Sequence, residues 1–362
     1  MTEGENRWPC AQCGADLRFV PGSTLLECDH CGHVQPIPEG AAAGAAPLAE
    51  IDLSRGLKDD IPAAHMEEVR VTPCPSCGAQ VEFRGATHSA ECPFCAAPVV
   101  IGTGEERRIK PQGVLPFTLT EEAARDAVGD WLGRLWFAPN GLQQFARKGR
   151  AMTGIYVPYW SFDASTRSRY RGQRGDHYYE TRTVMRNGRS QTEQVRRTRW
   201  TRVSGSVARR FDDLLVMASE GLPRRYTDSL QPWNLQELHP YRPDFLAGFA
   251  AEAYTVNLHD GHQLARDSMA ETIRADVRSD IGGDEQQIDS VDTDWSDETF
   301  KHVLLPLWLA VYRYNGKPYR VVVNGQTGMV AGERPWSVWK IAFAILLGLI
   351  ALAIGAYFAN LR

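Results

Sequence analysis

The chain has 362 residues, enough for two or three domains, and its 43% apolar content is ordinary for a folded protein with a sizeable core. A net charge of −4 and a pI near 6.2 argue against a bulk polyanion binder. The opening "MTEGENRWPC" carries no apolar run of the kind that directs secretion, which predicts that the cysteines stay in a reducing cytoplasm.

All eight cysteines fall in two frames of the form Cys-x2-Cys-x14-Cys-x2-Cys. The first uses Cys10, Cys13, Cys28 and Cys31, and the second Cys74, Cys77, Cys92 and Cys95. Laid on one another, they also match Gly14 with Gly78, Ala15 with Ala79, Phe19 with Phe83, Glu27 with Glu91 and Ile37 with Ile101, which marks a tandem duplication. A Cys-x-x-Cys knuckle sets two thiolates on one side of a tight turn. The spacer can fold as a short hairpin that brings the second knuckle over the first. Four thiolates then surround one ion tetrahedrally, as Zn2+ prefers, so two structural Zn2+ sites are expected. Rubredoxin-type iron uses similar knuckles, but here the spacer is short and aromatic packing sparse. A dithiol redox pair would need an exposed thiol of low pKa, which nothing marks. His30 and His33 lie beside the first frame as rival ligands and read as solvated neighbours.

In chain order, zinc ribbon one covers about 7–37, a linker rich in Ala, Gly and Pro covers 38–70, and zinc ribbon two covers 71–101. A body over 113–333 follows. Thr118 and Glu121 have capping-box spacing ahead of "AARDAVGDWLGRLWF", which predicts a helix. "GIYVPYWSF" reads as a buried strand, and "TRTVMRNGRSQTEQV" as a hairpin around Asn187 and Gly188. "HDGH" at 259–262 reads as the cap of a helix across "GHQLARDSMAETIRADVRSDI". "DIGGDEQQIDSVDTDWSDE" lacks the order of a calcium loop and reads as an acidic loop. Strands separated by Asn-Gly turns then run to the end of the body. The expected class is α+β: two small N-terminal zinc ribbons, a strand-rich mixed body and one C-terminal transmembrane helix at 338–359.

That last segment contains "IAFAILLGLIALAIGAYFA", which is uncharged and long enough as a helix to cross the hydrocarbon core. Trp336 and Trp339 sit at one end, Tyr357 and Phe358 near the other. Arg334 and Lys340 precede the span, which favours a cytoplasmic N-terminal side.

Residues 165–210 hold 13 arginines against Asp176, Glu180 and Glu193, with Tyr170, Tyr178, Tyr179 and Trp200 interleaved. Arg182, Arg186, Arg189, Arg196, Arg197 and Arg199 are the candidate anion- or partner-binding residues. They could meet lipid head groups, nucleic acid or a protein, or pair internally with the nine acids of 276–298. The ribbons themselves carry no basic stripe. There is no Gly-x4-Gly-Lys-Ser/Thr loop, no Gly-x-Ser-x-Gly elbow and no His-Glu-x-x-His, so neither nucleotide binding nor catalysis is expected.

The stretches "WLGRLWFAPNGL", "GIYVPYWSFDASTRSRYRG", "FDDLLVMAS", "YRPDFLAGFAAEAY", "DIGGDEQQI" and "FKHVLLPLWLAVYRYNGKPYRVVVNGQTGMVAGERPWS", together with the paired ribbons, carry a resemblance over nearly the whole chain. The set resembles the bacterial membrane-anchored double zinc-ribbon family often labelled primosomal protein N′ (replication factor Y) or superfamily II helicase-like. The resemblance implies a non-enzymatic adaptor on the cytoplasmic face of the bacterial inner membrane, with the bilayer and a protein as partners, in an envelope-stress assembly. The alternative is a replication-linked, nucleic-acid-associated ribbon protein without helicase activity.

Overall fold

The computed structural model describes residues 8–37, 48, 50–82, 89–95, 97–100, 105–139, 152–186, 189–314 and 317–360. In chain order come β1 (Leu17–Phe19), β2 (Leu25–Cys28), β3 (Val34–Pro36), β4 (Ile51–Asp52), α1 (Leu53–Gly56), β5 (Met66–Pro73), β6 (Gln80–Glu82), β7 (Ser89–Glu91), β8 (Pro98–Val100), β9 (Glu105–Ile109) and β10 (Gly113–Val114). The body continues with α2 (Glu121–Gly133), β11 (Thr153–Arg186), β12 (Arg189–Met217), α3 (Arg224–Thr227), β13 (His239–Pro240), β14 (Ala250–Glu252), α4 (Leu258–Ile281), β15 (Glu285–Tyr314), β16 (Lys317–Asn324), β17 (Val330–Gly332) and α5 (Val338–Asn360). This is the α+β class expected from the order of signals, with the two cysteine groups at the N-terminal side and an apolar C-terminal helix.

Three strands dominate. β11 pairs antiparallel with β12 on one side, from Tyr159↔Met217 to Arg186↔Arg189, and with β15 on the other, from Thr153↔Leu309 to Gly175↔Glu285. Their roots are apolar on both faces. Ile155, Tyr156, Val157 and Trp160 of β11 and Leu305, Leu307 and Trp308 of β15 are essentially inaccessible. The stretch "GIYVPYWSF" is thus a buried strand, as expected, but only the first third of a far longer one.

Beyond Asp163 the character changes. A buried lysine, Lys301, sits among Asp163, Asp213 and Glu50 at 3.4, 2.6 and 3.2 Å. Burial alone would discharge it, yet the three carboxylates outweigh that and hold it well above the ordinary lysine range. From there outward one face of the sheet is covered by α4, and on the other Arg167, Arg169 and Arg171 are exposed among the described residues.

α4 is built as its sequence suggests. Leu258, Gly261, Ala265, Met269, Ile273, Val277 and Ile281 recur at helical spacing and are buried on β11 and β12. Gly261 is required by packing, since a Cβ there would stand 2.5 Å from Trp160. Gly282, at φ +63°, ends the helix and turns the chain into β15.

Four expectations need correcting. The helix cap at 118 moves to Thr120, whose hydroxyl accepts from Ala123 N at 3.3 Å. Asn257, not "HDGH", caps α4 by accepting from Asp260 N. His262 lies inside the helix against Glu298. The acidic loop at 280–298 is instead a strand from Glu285, because its neighbour β11 supplies arginines opposite the aspartates. The expected linker 38–70 is ordered at least from Glu50: Ile51 pairs with Phe300, and β5 starts at Met66 and pairs with β9 and β6. The turn residues Asn187 and Gly188 lie outside the described residues, although the flanking pair Arg186↔Arg189 closes the predicted hairpin.

Candidate metal centres and the arginine ribbon

Each cysteine knuckle folds as a tight turn. Cys10 N takes Ala15 O at 2.7 Å, Cys28 N takes His33 O at 2.9 Å, Cys74 N takes Ala79 O at 2.8 Å and Cys92 N takes Ala97 O at 2.8 Å. Gly14, Gly32 and Gly78 each donate back to the first cysteine's carbonyl at 2.9 Å and hold φ between +70° and +77°. That conformation explains why glycine follows three of the knuckles.

The turns bring the sulfurs together across the hairpin. Cys10 Sγ lies 3.6 Å from Cys31 Sγ and Cys13 Sγ 3.5 Å from Cys28 Sγ. In ribbon two Cys74 and Cys95, and Cys77 and Cys92, are both 3.6 Å apart. Within each group all four sulfurs lie within 4.8 Å of one another. A tetrahedral Zn–S shell at about 2.3 Å requires sulfurs about 3.8 Å apart, so both groups fit a zinc ion. Neither His30 nor His33 belongs to a group among the described residues.

Electrostatics point the same way. Burial pushes the Cys77 thiol up to about 11. Against the same burial, the amides of Ser76 and Cys77 and the thiols of Cys95 and Cys77 bring Cys74 down to about 7. Crowded thiols cannot all ionise beside one another. A divalent cation would relieve that repulsion and bind all four as thiolates.

The ribbons are embedded in the body. Leu17, Phe19 and Leu26 of ribbon one share a core with Phe117, Phe245 and Trp308. Val81, Phe94 and Val99 of ribbon two share another with Ile155, Leu230 and Trp233. One segment, 245–253, serves both: Ala247 O accepts from Phe19 N, and Ala253 N donates to Gln80 O. Nothing in the stretch "YRPDFLAGFAAEAY" itself signals this role, which depends on two distant ribbons meeting it.

The arginine candidates divide by position. Arg182, Arg196, Arg197 and Arg199 lie past Gly175↔Glu285, where β11 and β12 continue as a two-stranded ribbon without β15. Arg197 pairs with Glu180 at 3.1 Å, and Tyr178 and Tyr179 are exposed on the same ribbon. The side chains of Arg186 and Arg189 lie outside the described residues. Internal pairing occurs nearer the root: Arg209 with Asp276, and Arg169 with Asp294 and Asp292.

Two features escaped sequence reading. Lys301 is one. The other is Glu252 on β14, 1% exposed, with Oε1 accepting from Ser219 at 2.5 Å and Oε2 without a hydrogen-bond partner among the described residues. Burial pushes its carboxyl up to about 8. No period or motif marks a single glutamate that tertiary packing buries.

The helix α5 completes the inventory. It is long and apolar enough over Val338–Tyr357 to cross a membrane, and its side chains are not buried against the body. Its start is fixed: Ser337 N donates to Phe137 O, and Lys340 Nζ to Ala138 O at 2.9 Å.

These features define an α+β protein with, among the described residues, two four-cysteine groups that can hold metal ions and one helix that can span a bilayer. Among curated proteins, the chain is 25% identical over 337 residues to a Bacillus subtilis (strain 168) protein named "Uncharacterized protein YdjG", covering 92% of each. No family model and no solved structure matches the chain.

Proposed function

We propose that this chain is a zinc-binding adaptor held at the cytoplasmic face of the bacterial inner membrane, serving an envelope-stress assembly through a protein partner. The observation that carries the reading is the joining of two closed four-sulfur clips to a body from which an exposed apolar helix leaves at a fixed point. Four sulfurs complete a zinc shell, so the clips have no coordination position for substrate and act as structure. The resemblance to the membrane double zinc-ribbon family supports the same assignment, and no turnover is expected. Fractionation tests the anchor: full-length protein should need detergent for extraction, and recovery in the soluble fraction would remove the reading. Pull-down from detergent extracts tests the adaptor role. A protein partner should be retained by the intact chain and lost when Cys10–Cys31 or Cys74–Cys95 are replaced by serine.

A replication-linked nucleic-acid role is the second reading. It is favoured by one feature, the basic ribbon tip with Tyr178 and Tyr179 exposed at 45% and 65%. It predicts binding that weakens steeply with salt, and a gel shift negative at low salt removes it.

A further inference from the structure

The outer half of the long sheet has two open edges of opposite charge. β12 pairs with β11 alone, so its other edge meets no strand among the described residues. β15 is bordered on its far side by β4 at Thr299 and Phe300, β10 at Val303 and Leu304, and β16 from Leu307. Among the described residues nothing pairs with that side over 285–298. The open edge of β12 runs over 189–217; its middle, 196–210, holds six arginines and no acid, with Glu193 before it and Asp212 and Asp213 after it. The open stretch of β15, 285–298, holds six acids and no base.

We propose that these edges join between copies, β12 of one chain adding to β15 of the next, so that the protein assembles head to tail as a continued sheet. Unpaired strand edges are templates for further pairing. Charge decides which pairing is allowed here. Arginine edge against arginine edge and acid against acid repel, whereas the mixed edge attracts. Arg199, Arg202 and Arg210 are exposed and make no ion pair among the described residues, so their charge is available. The face under α4 gives a second reason. Val203 and Val207 on β12, and Ile288, Val291 and Trp295 on β15, are half-buried members of the α4 core. Continuing the sheet sets these two apolar rows side by side and covers them further.

The pairing is directional. β12 and β15 each run antiparallel to β11 and so parallel to one another. A neighbour added in the same orientation meets β15 with a parallel strand, and every copy then sends α5 the same way. That last point rests on the anchor reading, but the edge contact does not. Such a heterologous contact closes into a ring or runs on as an open array, according to the sheet's twist.

Charge reversal with rescue tests this on the full-length, zinc-loaded chain in a neutral detergent, read by sedimentation velocity at about 50 mM and about 500 mM salt. Variant one carries Arg199→Glu, Arg202→Glu and Arg210→Glu. Variant two carries Asp289→Lys, Asp292→Lys and Asp294→Lys. The unaltered chain should form multimers at low salt that dissociate at high salt. Each variant alone should associate about tenfold more weakly or worse, and an equal mixture should regain multimers, because each reversed edge then meets an edge of opposite sign. A monomeric unaltered chain at low salt, a variant with undiminished assembly, or a mixture that stays monomeric overturns the proposal. If a reversed variant loses zinc or melts early, the neutral set Arg199→Gln, Arg202→Gln and Arg210→Gln replaces it. Assembly equal to that of the unaltered chain would then count against the proposal. Failure here leaves the anchor untouched, since detergent extraction reports on that separately.

Discussion

The two cysteine clips share a frame and a geometry, yet they are built into the molecule differently. Ribbon one keeps its own sheet, β1, β2 and β3, and meets the body through side chains, with Phe19 edge-on to Phe245 at 5.4 Å, and through bonds from Phe19 N to Ala247 O and from Gly22 N to Phe117 O rather than by strand pairing. Ribbon two lends β6 to the main sheet, where it is hydrogen-bonded between β5 and β14. The second knuckles differ too. Where ribbon two carries Phe94, 1% exposed in the body core, ribbon one carries His30, exposed to solvent. A duplicated metal clip is thus a fixed unit whose attachment is set by the few residues that differ between copies.

The widest separation between the copies should come from their cysteines. Replacing Cys92 by serine should remove one zinc per chain and destabilise the body by about 4 kcal/mol or more, since its neighbours Phe94 and Val99 pack on Ile155 and Trp233. Cys31→Ser should also lose one zinc, but with a smaller fall in melting temperature, because Cys31 is exposed in a ribbon whose sheet the body does not share. Equal falls in the two melts would erase the distinction. Next, Phe94→Ala should cost about 3–5 kcal/mol by denaturant titration, as for a fully buried aromatic.

The Glu252 carboxyl, paired through its backbone with Val81 of ribbon two, gives the same contrast a pH axis. Its folded pKa of about 8 lies above the ordinary glutamate value of about 4.3. Stability is therefore complete below the lower value and is lost as pH rises toward and through the upper one. Between about pH 6 and pH 8 the loss is about 2 kcal/mol, and Glu252→Gln should flatten it in melts across that window. A variant that keeps the slope would assign it to another group. The smallest effect belongs to the exposed knuckle: His30→Ala should stay within about 0.5 kcal/mol and leave zinc content unchanged by metal analysis.

Much of the site is legible in the sequence. Cys-x-x-Cys spacing is local, so the ligand set follows from chain geometry alone. The α4 stripe was legible for a similar reason, because helical period is local. The strand at 285–298 was not. Its aspartates read as a solvated loop until β11 supplies Arg169 opposite Asp292, a contact between residues distant in sequence. The caps are displaced from Thr118 to Thr120 and from 259–262 to Asn257, because Ser, Thr, Asn and Asp side chains close together in sequence can all accept from a helix's first amides.

The sequence by itself determined the two clips, the apolar terminal helix and the mixed class, because each is written in spacing or in an uninterrupted run. Only the tertiary structure decided that the clips are welded into the body through one shared segment. It alone also shows that Glu252 and Lys301 are buried, and that basic and acidic strips end on opposite edges of one sheet. Those outcomes depend on which distant strands become neighbours, and strand pairing is set by packing across the whole fold rather than by any stretch of chain alone.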